Sequence, residues 1–200
     1  MKYVIGIDEV GRGPIAGPLV VCACAVQAGV DIIAFFPKRE LKDSKKLSEK
    51  ARITMVEKLL PFVENSQIFF GIGEVPAEKI DTIGLVSSIK EATQQALKKV
   101  HEQGVEKESF IFLDGALRVD ELYNQETIIK GDETVPEIAL ASILAKTHRD
   151  TFMKKIAGAY PGYGFENHVG YGTKAHYEAI KQRGLTPLHR RSFLKGLGIQ

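Results

Sequence analysis

The chain has 200 residues, of which 44% are hydrophobic and 26% are charged, and its formal net charge is +2. No apolar run approaches the roughly 20 residues that a membrane span needs, and Asp8 and Glu9 come too early to leave room for the apolar region of a signal peptide. These features exclude a membrane protein and predict a cytoplasmic globular protein, while the mildly basic total permits a nucleic-acid partner without requiring one.

The first predicted element is a strand from Tyr3 to Ile7, which is rich in β-branched and aromatic residues. Asp8 and Glu9 are expected where this strand ends and a turn begins. Adjacent acids are unfavourable there unless something positive binds them. The glycines of residues 11–13 permit positive φ and close approach of a ligand, and the arginine between them offers a planar fork for phosphate or carboxylate oxygens. This loop therefore predicts chemistry on phosphates.

Two other interpretations of residues 11–13 stay open at this point. The glycines, together with Gly17, loosely fit a dinucleotide-binding pattern, but Pro14 and Pro18 interrupt the segment where that pattern needs a helix. An acid pair in a purely structural turn is the second interpretation.

The later elements alternate between strands and helices. A strand from Leu19 to Val26 carries Cys22 and Cys24 on one face, a spacing that suits packing better than a disulfide, so reduced core cysteines are expected. The other predicted elements are a helix from the N-cap Ser48 to about Leu60, ended by Pro61; a strand from Gln67 to Ile72; a short helical turn opened by Pro76; a helix from about Leu85 to Glu102 with Val86 in its buried stripe; strands from Ser109 to Leu113 and from Thr127 to Lys130; a helix from about Pro136 to Ala157; and short helices from about Thr173 to Arg183 and from Leu188 to Lys195.

This order of elements indicates an α/β or α+β sheet covered by helices. We predict a single domain over residues 1–200, with residues 160–200 as a small helical appendage, because no linker or internal repeat interrupts the chain.

Four carboxylates are expected at or just past strand ends, where they could converge on one edge of the sheet: Asp8, Glu9, Asp114 and Asp132. Hard oxygen ligands suit Mg²⁺ or Mn²⁺, and two such ions about 3.5–4 Å apart can activate water and stabilise the leaving oxygen of a phosphodiester. The sequence offers no zinc-type cluster, no phosphate-binding glycine loop followed by Lys-Ser/Thr and no Gly-x-Ser-x-Gly elbow. Chance placement is the alternative, since most acids are solvated surface groups.

Five motifs occur in the order of one known family. They are Asp8-Glu9-Val10-Gly11-Arg12-Gly13-Pro14, Asp43-Ser44-Lys45-Lys46-Leu47-Ser48, Lys130-Gly131-Asp132, Ala141-Ser142-Ile143-Leu144-Ala145-Lys146 with Arg149-Asp150, and Gly170-Tyr171-Gly172-Thr173. From residue 3 to about residue 193 the chain resembles bacterial ribonuclease HII, a type 2 ribonuclease H. The resemblance implies an RNase H-like mixed sheet flanked by helices, with a small helical C-terminal part. It also implies a metal-dependent endoribonuclease that cuts RNA in RNA/DNA hybrids and cuts 5′ of single ribonucleotides in duplex DNA, leaving 3′-hydroxyl and 5′-phosphate ends, with a role in DNA repair and replication.

The same resemblance assigns roles to individual residues. The metal-binding, catalytic carboxylates would be Asp8, Glu9, Asp114 and Asp132, with two Mg²⁺ or Mn²⁺ ions in the catalytic state. The loop that reads the 2′-hydroxyl and the junction phosphate would be Gly11, Arg12 and Gly13. Tyr171 would stack on the sugar beside the junction and meet the 2′-hydroxyl, the group that distinguishes RNA from DNA. Considered alone, Tyr171 would more often be a packed core tyrosine.

Contacts to the phosphate backbone are expected from polar and basic residues in these motifs: Ser44, Lys45, Lys46, Ser142 and Lys146. Further candidates are Lys174, Arg190 and Arg191, and His168 is a candidate for touching nucleic acid. A solvated charged face, or capping and packing by the serines, explains these residues equally well.

The chain also departs from the family pattern. Ala116 stands where an Asn is common. Val169 stands where a Lys is common, and this second difference would remove one phosphate contact. The tail from Lys195 to Gln200 lacks the paired aromatics of a sliding-clamp-binding segment, so no such tether is expected. The predicted partners are RNA/DNA hybrids and ribonucleotide-containing duplex DNA, bound by a monomer.

Overall fold

A mixed five-stranded sheet forms the centre of the computed structural model, which describes residues 2–36, 41 and 47–195. Its strands are β1 (Tyr3–Val10), β2 (Leu19–Gln27), β3 (Ile68–Val75), β4 (Phe110–Asp114) and β5 (Gln125–Ile128). They lie in the order β3-β2-β1-β4-β5. The pairings β1–β2 and β2–β3 are antiparallel, whereas β1–β4 and β4–β5 are parallel. The predicted mixed sheet is thus confirmed.

Helices cover both faces of this sheet and form the C-terminal part. They are α1 (Glu49–Glu64), α2 (Ala77–Ile83), α3 (Leu85–Glu102), α4 (Pro136–Ala157), α5 (Phe165–His168), α6 (Lys174–Arg183) and α7 (Arg191–Leu194). The bounds of α3 and α4 are those predicted, and the N-cap at Ser48 is confirmed because its hydroxyl accepts from the Ala51 amide. α5 was not anticipated, and α7 is shorter than predicted.

Several local predictions are wrong. β5 covers Gln125–Ile128 rather than Thr127–Lys130, because Lys130 is in the left-handed conformation and begins the turn at Gly131–Glu133. β1 does not end at Ile7, because its antiparallel pairing with β2 continues to the Val10–Val20 pair; Asp8 and Glu9 therefore lie inside a strand. α1 does not end before Pro61 but continues to Glu64, since Phe62 and Val63 in its last turn pack against the core. Val86 is 82% exposed, because the buried face of α3 begins one turn later.

The two faces of the sheet carry separate apolar layers. Along β2, Val21 and Ala23 face the layer under α3, while Cys22 and Cys24 face the layer under α4. Both cysteines are buried and free, as predicted. This alternation follows from the two-residue period of a strand, and it leaves β2 buried on both sides.

The described C-terminal residues pack against the segment that follows β1 and against the end of α4. Ile15 and Met153 share an apolar cluster with Phe165, Ile180 and Leu194. The chain after residue 160 is therefore in direct contact with the loop that carries the Gly-Arg-Gly sequence. None of the helices within the described ranges has the length and apolarity that crossing a membrane requires.

Close packing of α3 on β3 depends on glycine. A Cβ added at Gly73 would overlap the carbonyl oxygen of Ala92, a backbone atom that cannot move aside without shifting the helix. We expect Gly73→Ala to lower the free energy of unfolding by about 1–3 kcal/mol, as overpacked cores do. Gly158→Ala is the matched control, because Gly158 has φ −62° and its added Cβ would meet nothing closer than 3.9 Å. The control should gain about 0.4–1 kcal/mol. Urea denaturation measures both, and equal stability of Gly73→Ala and wild type would show that α3 can move away from β3.

Candidate active site

Two of the predicted acids are brought together by the parallel pairing of β1 and β4. The last pair in this ladder is Ile7 with Leu113, so Asp8 and Asp114 are the next residues on neighbouring strands. The charge of Asp114 raises the pKa of both Asp8 and Glu9, which shows that the three carboxyl groups are electrostatically coupled. The sequence predicts that these acids meet at one edge of the sheet because they follow strand ends. In the structure, the parallel register of β1 and β4 brings them together.

Asp132 reaches the same region on a short 3-10 turn, Gly131–Glu133. The Gly131 amide donates to Asp114 Oδ1 at 2.6 Å, which ties this turn to the end of β4. The turn is preceded by Lys130 in the left-handed conformation and followed by α4. The Asp132 side chain is buried, with 1% of the residue exposed.

Burial dominates the electrostatics of the acid pair. It raises the pKa of Asp8 to about 7; a hydrogen bond from Ser142 opposes this rise, and the neighbouring Glu9 and Asp114 add to it. Burial also raises the pKa of Glu9, although Arg12 opposes the change by donating to Glu9 Oε1 at 2.9 Å. Glu9 Oε2 is buried and has no hydrogen-bond partner among the described residues.

The donor chemistry of this group fits a hard divalent cation. Crowded carboxylates raise one another's pKa, and a nearby cation reverses that effect. The buried Glu9 Oε2 is an oxygen that such an ion could bind. Within residues 2–36, 41 and 47–195, no three Asp, Glu, His or Cys side chains are already arranged as a metal centre.

The Gly-Arg-Gly loop lies directly after these acids. Gly11 has φ +90°, as predicted, and a Cβ there would lie 2.6 Å from Arg149 Nε. Gly13 does not have a positive φ; it is exposed and lies under a ring carbon of Tyr171, 4.0 Å from an added Cβ. Arg12 is exposed on the surface and is ion-paired with Glu9. The loop thus borders the acids on one side and Tyr171 on the other.

Tyr171 is 40% exposed, so the interpretation as a packed core tyrosine is wrong. Lys146 Nζ lies 5.7 Å from the centre of its ring and Arg149 Cζ lies 6.0 Å from it. Lys146 is held there by an ion pair of 2.8 Å with Asp150, which also binds Arg52 at 2.9 Å. An aromatic face and a cation therefore stand together beside the Gly-Arg-Gly loop.

Two buried arginines join the chain segments around Tyr171. Arg149 donates to the carbonyl oxygens of Ala16, Pro18 and Val169 at 2.9–3.0 Å. Arg190 donates twice to the Gly17 carbonyl and once to that of Arg12. The phosphate contact predicted for Arg190 is wrong, because its guanidinium is fully buried on backbone carbonyls.

Sequence reasoning missed this structural role of the two arginines. Arg149 stands in the Arg149-Asp150 part of a motif, and these two charged residues among the mostly apolar buried residues of α4 were a usable signal. Arg190 gave no such signal, since its acceptors lie more than 170 residues away in the sequence.

The other predicted contacts have different outcomes. Ser142 binds the Asp8 carboxyl group, and both ring nitrogens of His168 are bonded to backbone atoms, which leaves that histidine no donor or acceptor for nucleic acid. Lys174 is exposed at the start of α6, and the Arg191 amide is capped by Asp81. The remaining candidates and the tail lie outside the described residues: Ser44, Lys45, Lys46 and residues 196–200.

Comparisons with known proteins identify the family of this chain. The family model for Ribonuclease HII matches residues 5–195. A Ribonuclease HII from Pelodictyon phaeoclathratiforme is 43% identical over 197 residues, covering 98% of this chain and 91% of that protein. The crystal structure of the ribonuclease H2 from Pyrococcus horikoshii OT3 has a TM-score of 0.73 at 24% identity and covers 95% and 93% of the two chains. The crystal structure of Bst-RNase HIII in complex with Mn²⁺ has a TM-score of 0.68 at 19% identity and covers 98% and 70%. The solved structures share the fold, and the sequence matches show that the chain belongs to the ribonuclease HII family and is a hydrolase with ribonuclease H activity on RNA/DNA hybrids.

Proposed function

We propose that this enzyme cuts endonucleolytically, both within the RNA strand of hybrids and 5′ of a single ribonucleotide embedded in duplex DNA. The products would carry 3′-hydroxyl and 5′-phosphate ends. The observation that carries the proposal is the position of the Gly-Arg-Gly loop, which lies between a buried group of acids and an exposed tyrosine. Such an enzyme would serve in the removal of ribonucleotides from DNA during repair and replication.

The proposed holders of two Mg²⁺ or Mn²⁺ ions are Asp8, Glu9, Asp114 and Asp132. When bound, such ions lower the pKa of an attacking water and stabilise the leaving oxygen. The buried Glu9 oxygen and the coupling among the three strand-borne acids support this assignment, as does the Mn²⁺ in the Bst-RNase HIII structure. Ser142 would keep the Asp8 carboxyl group in one orientation through its hydrogen bond.

Discrimination of RNA from DNA would come from the loop and the tyrosine. The exposed Gly13 leaves the backbone open to a sugar, and the Tyr171 ring beside it can stack on that sugar and place its hydroxyl at the 2′-position. Arg12 is exposed, so its guanidinium could bind the junction phosphate when Glu9 binds a metal ion instead of Arg12. Gly11 would act through its positive φ, which sets the path of the loop backbone.

Positioning of the duplex is proposed for Lys146, whose amino group is near Tyr171, and for residues 44–46, which remain predictions from the sequence. These contacts would hold the phosphate backbone without reading its sequence. We further propose that residues 1–200 act as one catalytic domain, in a cytoplasmic monomer.

Cleavage of three end-labelled duplexes tests the proposal: DNA with one ribonucleotide, an all-RNA/DNA hybrid and plain DNA, each with Mg²⁺, Mn²⁺ or EDTA. We expect metal-dependent cutting 5′ of the lone ribonucleotide and within the hybrid, with plain DNA intact and 3′-hydroxyl ends that a polymerase can extend. Cutting of the hybrid alone would contradict the embedded-ribonucleotide activity. Cutting that persists in EDTA would contradict the metal assignment.

A further inference from the structure

Three histidines pack behind Tyr171, and sequence reasoning gave two of them no role. His176 and His189 are 0% and 2% exposed, and their Nε2 atoms lie 3.1 Å apart. The ring of His168 stacks on that of His176 with centres 4.2 Å apart. The face of Phe165 closes the cluster with edge-to-face contacts.

Hydrogen bonds to the backbone fix the direction of each bond in this chain of rings. The Thr186 amide donates to His189 Nδ1 at 2.8 Å, so this nitrogen is an acceptor and the proton of the neutral ring is on Nε2. His189 Nε2–H then donates to His176 Nε2. The His176 proton must therefore be on Nδ1, which donates to the Tyr171 carbonyl oxygen at 2.9 Å.

The His168 ring holds the residue that precedes Tyr171. The Gly170 amide donates to its Nδ1 at 3.2 Å, and its Nε2–H donates to the Tyr163 carbonyl oxygen at 2.8 Å. The Gly170 amide and the Tyr171 carbonyl group are thus both anchored to imidazoles, while the Tyr171 amide donates to the His168 carbonyl oxygen at 2.9 Å. Burial keeps the two inner rings neutral, since it lowers the pKa of His176 and of His189 to about 4.

We propose that His176, oriented by His189, is a positioning residue that fixes the backbone of Tyr171 so that its ring faces Gly13. The proposal rests on the function assigned above to Tyr171, the reading of the 2′-hydroxyl. Tyr171 is exposed and its ring has cations rather than a packed wall beside it, so its backbone anchors decide where the phenol points. A lone ribonucleotide offers one 2′-hydroxyl, which makes cutting there most sensitive to a displaced ring.

A matched pair of variants isolates the bond from His176 to Tyr171. Asn and Leu have similar size, but only Asn can place an N–H where His176 Nδ1 stands. Both variants lose the His189 contact and should lose similar stability. We expect His176→Leu to have kcat/KM at a lone ribonucleotide about 10–100-fold below that of His176→Asn, the scale of a catalytic group misplaced by about 1 Å. Activity on a long hybrid should differ less between the two.

The outcomes separate the two proposals. If both folded variants show the same ratio of lone-ribonucleotide to hybrid cleavage, the positioning role is wrong and His176 is only structural. If the wild-type enzyme does not cut at a lone ribonucleotide, the proposed function fails whatever the variants do.

A second measurement uses the wild-type protein, so it tests the proposal even if a variant does not fold. Nitrogen-15 NMR of the imidazoles should show His176 protonated on Nδ1 and His189 on Nε2 at neutral pH. The opposite tautomers would overturn the proposal, because His176 could then not donate to Tyr171.

Discussion

Asp8→Asn should abolish cleavage and, at the same time, stabilise the ion-free protein at neutral pH. Loss of groups that only support a metal ligand costs about 10–100-fold in activity, so loss of a direct ligand should cost more than 100-fold. Asn keeps the shape of the side chain and can still accept from Ser142, so duplex binding should persist. Opposite effects on activity and stability distinguish an acid kept for catalysis from one that supports the fold.

The stability gain follows from the raised pKa of Asp8. Below the usual aspartate pKa both folded and unfolded states hold the proton, and the group does not affect stability. As the pH rises from about 4 to about 7, the unfolded state releases the proton while the folded state retains it, so stability is lost. Above pH 7 the deficit is constant and amounts to about 4 kcal/mol at most, since one pKa unit corresponds to about 1.4 kcal/mol.

Thermal unfolding in EDTA measures this effect. The gain of Asp8→Asn should be absent near pH 4 and should reach about 2–4 kcal/mol at pH 8, which raises Tm by about 2–4 °C per kcal/mol in a chain of this size. Glu57→Gln, at an exposed site on α1, is the control for removing a charge and should show no such pH dependence. Retained cleavage by Asp8→Asn would show that Asp8 is not part of the active site. An unchanged Tm at pH 8 would show that burial of the Asp8 carboxylate does not lower stability.

Tyr171→Ala should impair cutting at a lone ribonucleotide far more than it impairs folding. The side chain is 40% exposed, so little packing is lost. Stacking on an aromatic ring contributes about 1–3 kcal/mol, and the hydroxyl contact adds about 1 kcal/mol, which together predict a loss of about 30-fold to 10³-fold in kcat/KM. Tyr171→Phe keeps the ring and should lose only about 5-fold in kcat/KM.

The comparison of these two variants separates stacking from hydroxyl recognition. Tyr160→Phe serves as the control, because the Tyr160 ring packs on Phe165 in the same C-terminal part. Cleavage rates on the lone-ribonucleotide duplex and on the hybrid are measured together with Tm. An unchanged cleavage rate for Tyr171→Ala would contradict a role of Tyr171 at the junction. An unchanged cleavage rate for Tyr171→Phe would assign that role to the ring alone.

The sequence predicted what depends on local pattern. α3 and α4 have the expected bounds because each combines a clear start with a long stretch of helix-forming residues. The grouping of Asp8 with Asp114 was also expected, from acids at strand ends, although the structure produces it by the parallel register of β1 and β4. The chemistry of the site was thus accessible from residue types and their order.

What the sequence could not predict depends on distant partners. The end of β1 is set by its pairing with β2, and the fate of Arg190 is set by carbonyl groups at the other end of the chain. The directions of the histidine bonds follow from the Thr186 amide, which no motif marks. Each of these features needs a contact whose two members are separated by a turn or by most of the chain.

The insertion of β1 between an antiparallel and a parallel neighbour has a consequence for folding. β1, β2 and β3 are consecutive strands, whereas β4 must return to β1 after more than 100 residues. Because loop closure over such a distance is slow, the β1–β4 ladder should be a late event in folding. A chain emerging from the ribosome can therefore pair β1, β2 and β3 before Asp114 has been synthesised. On refolding, nuclease activity should return only with the slowest structural phase.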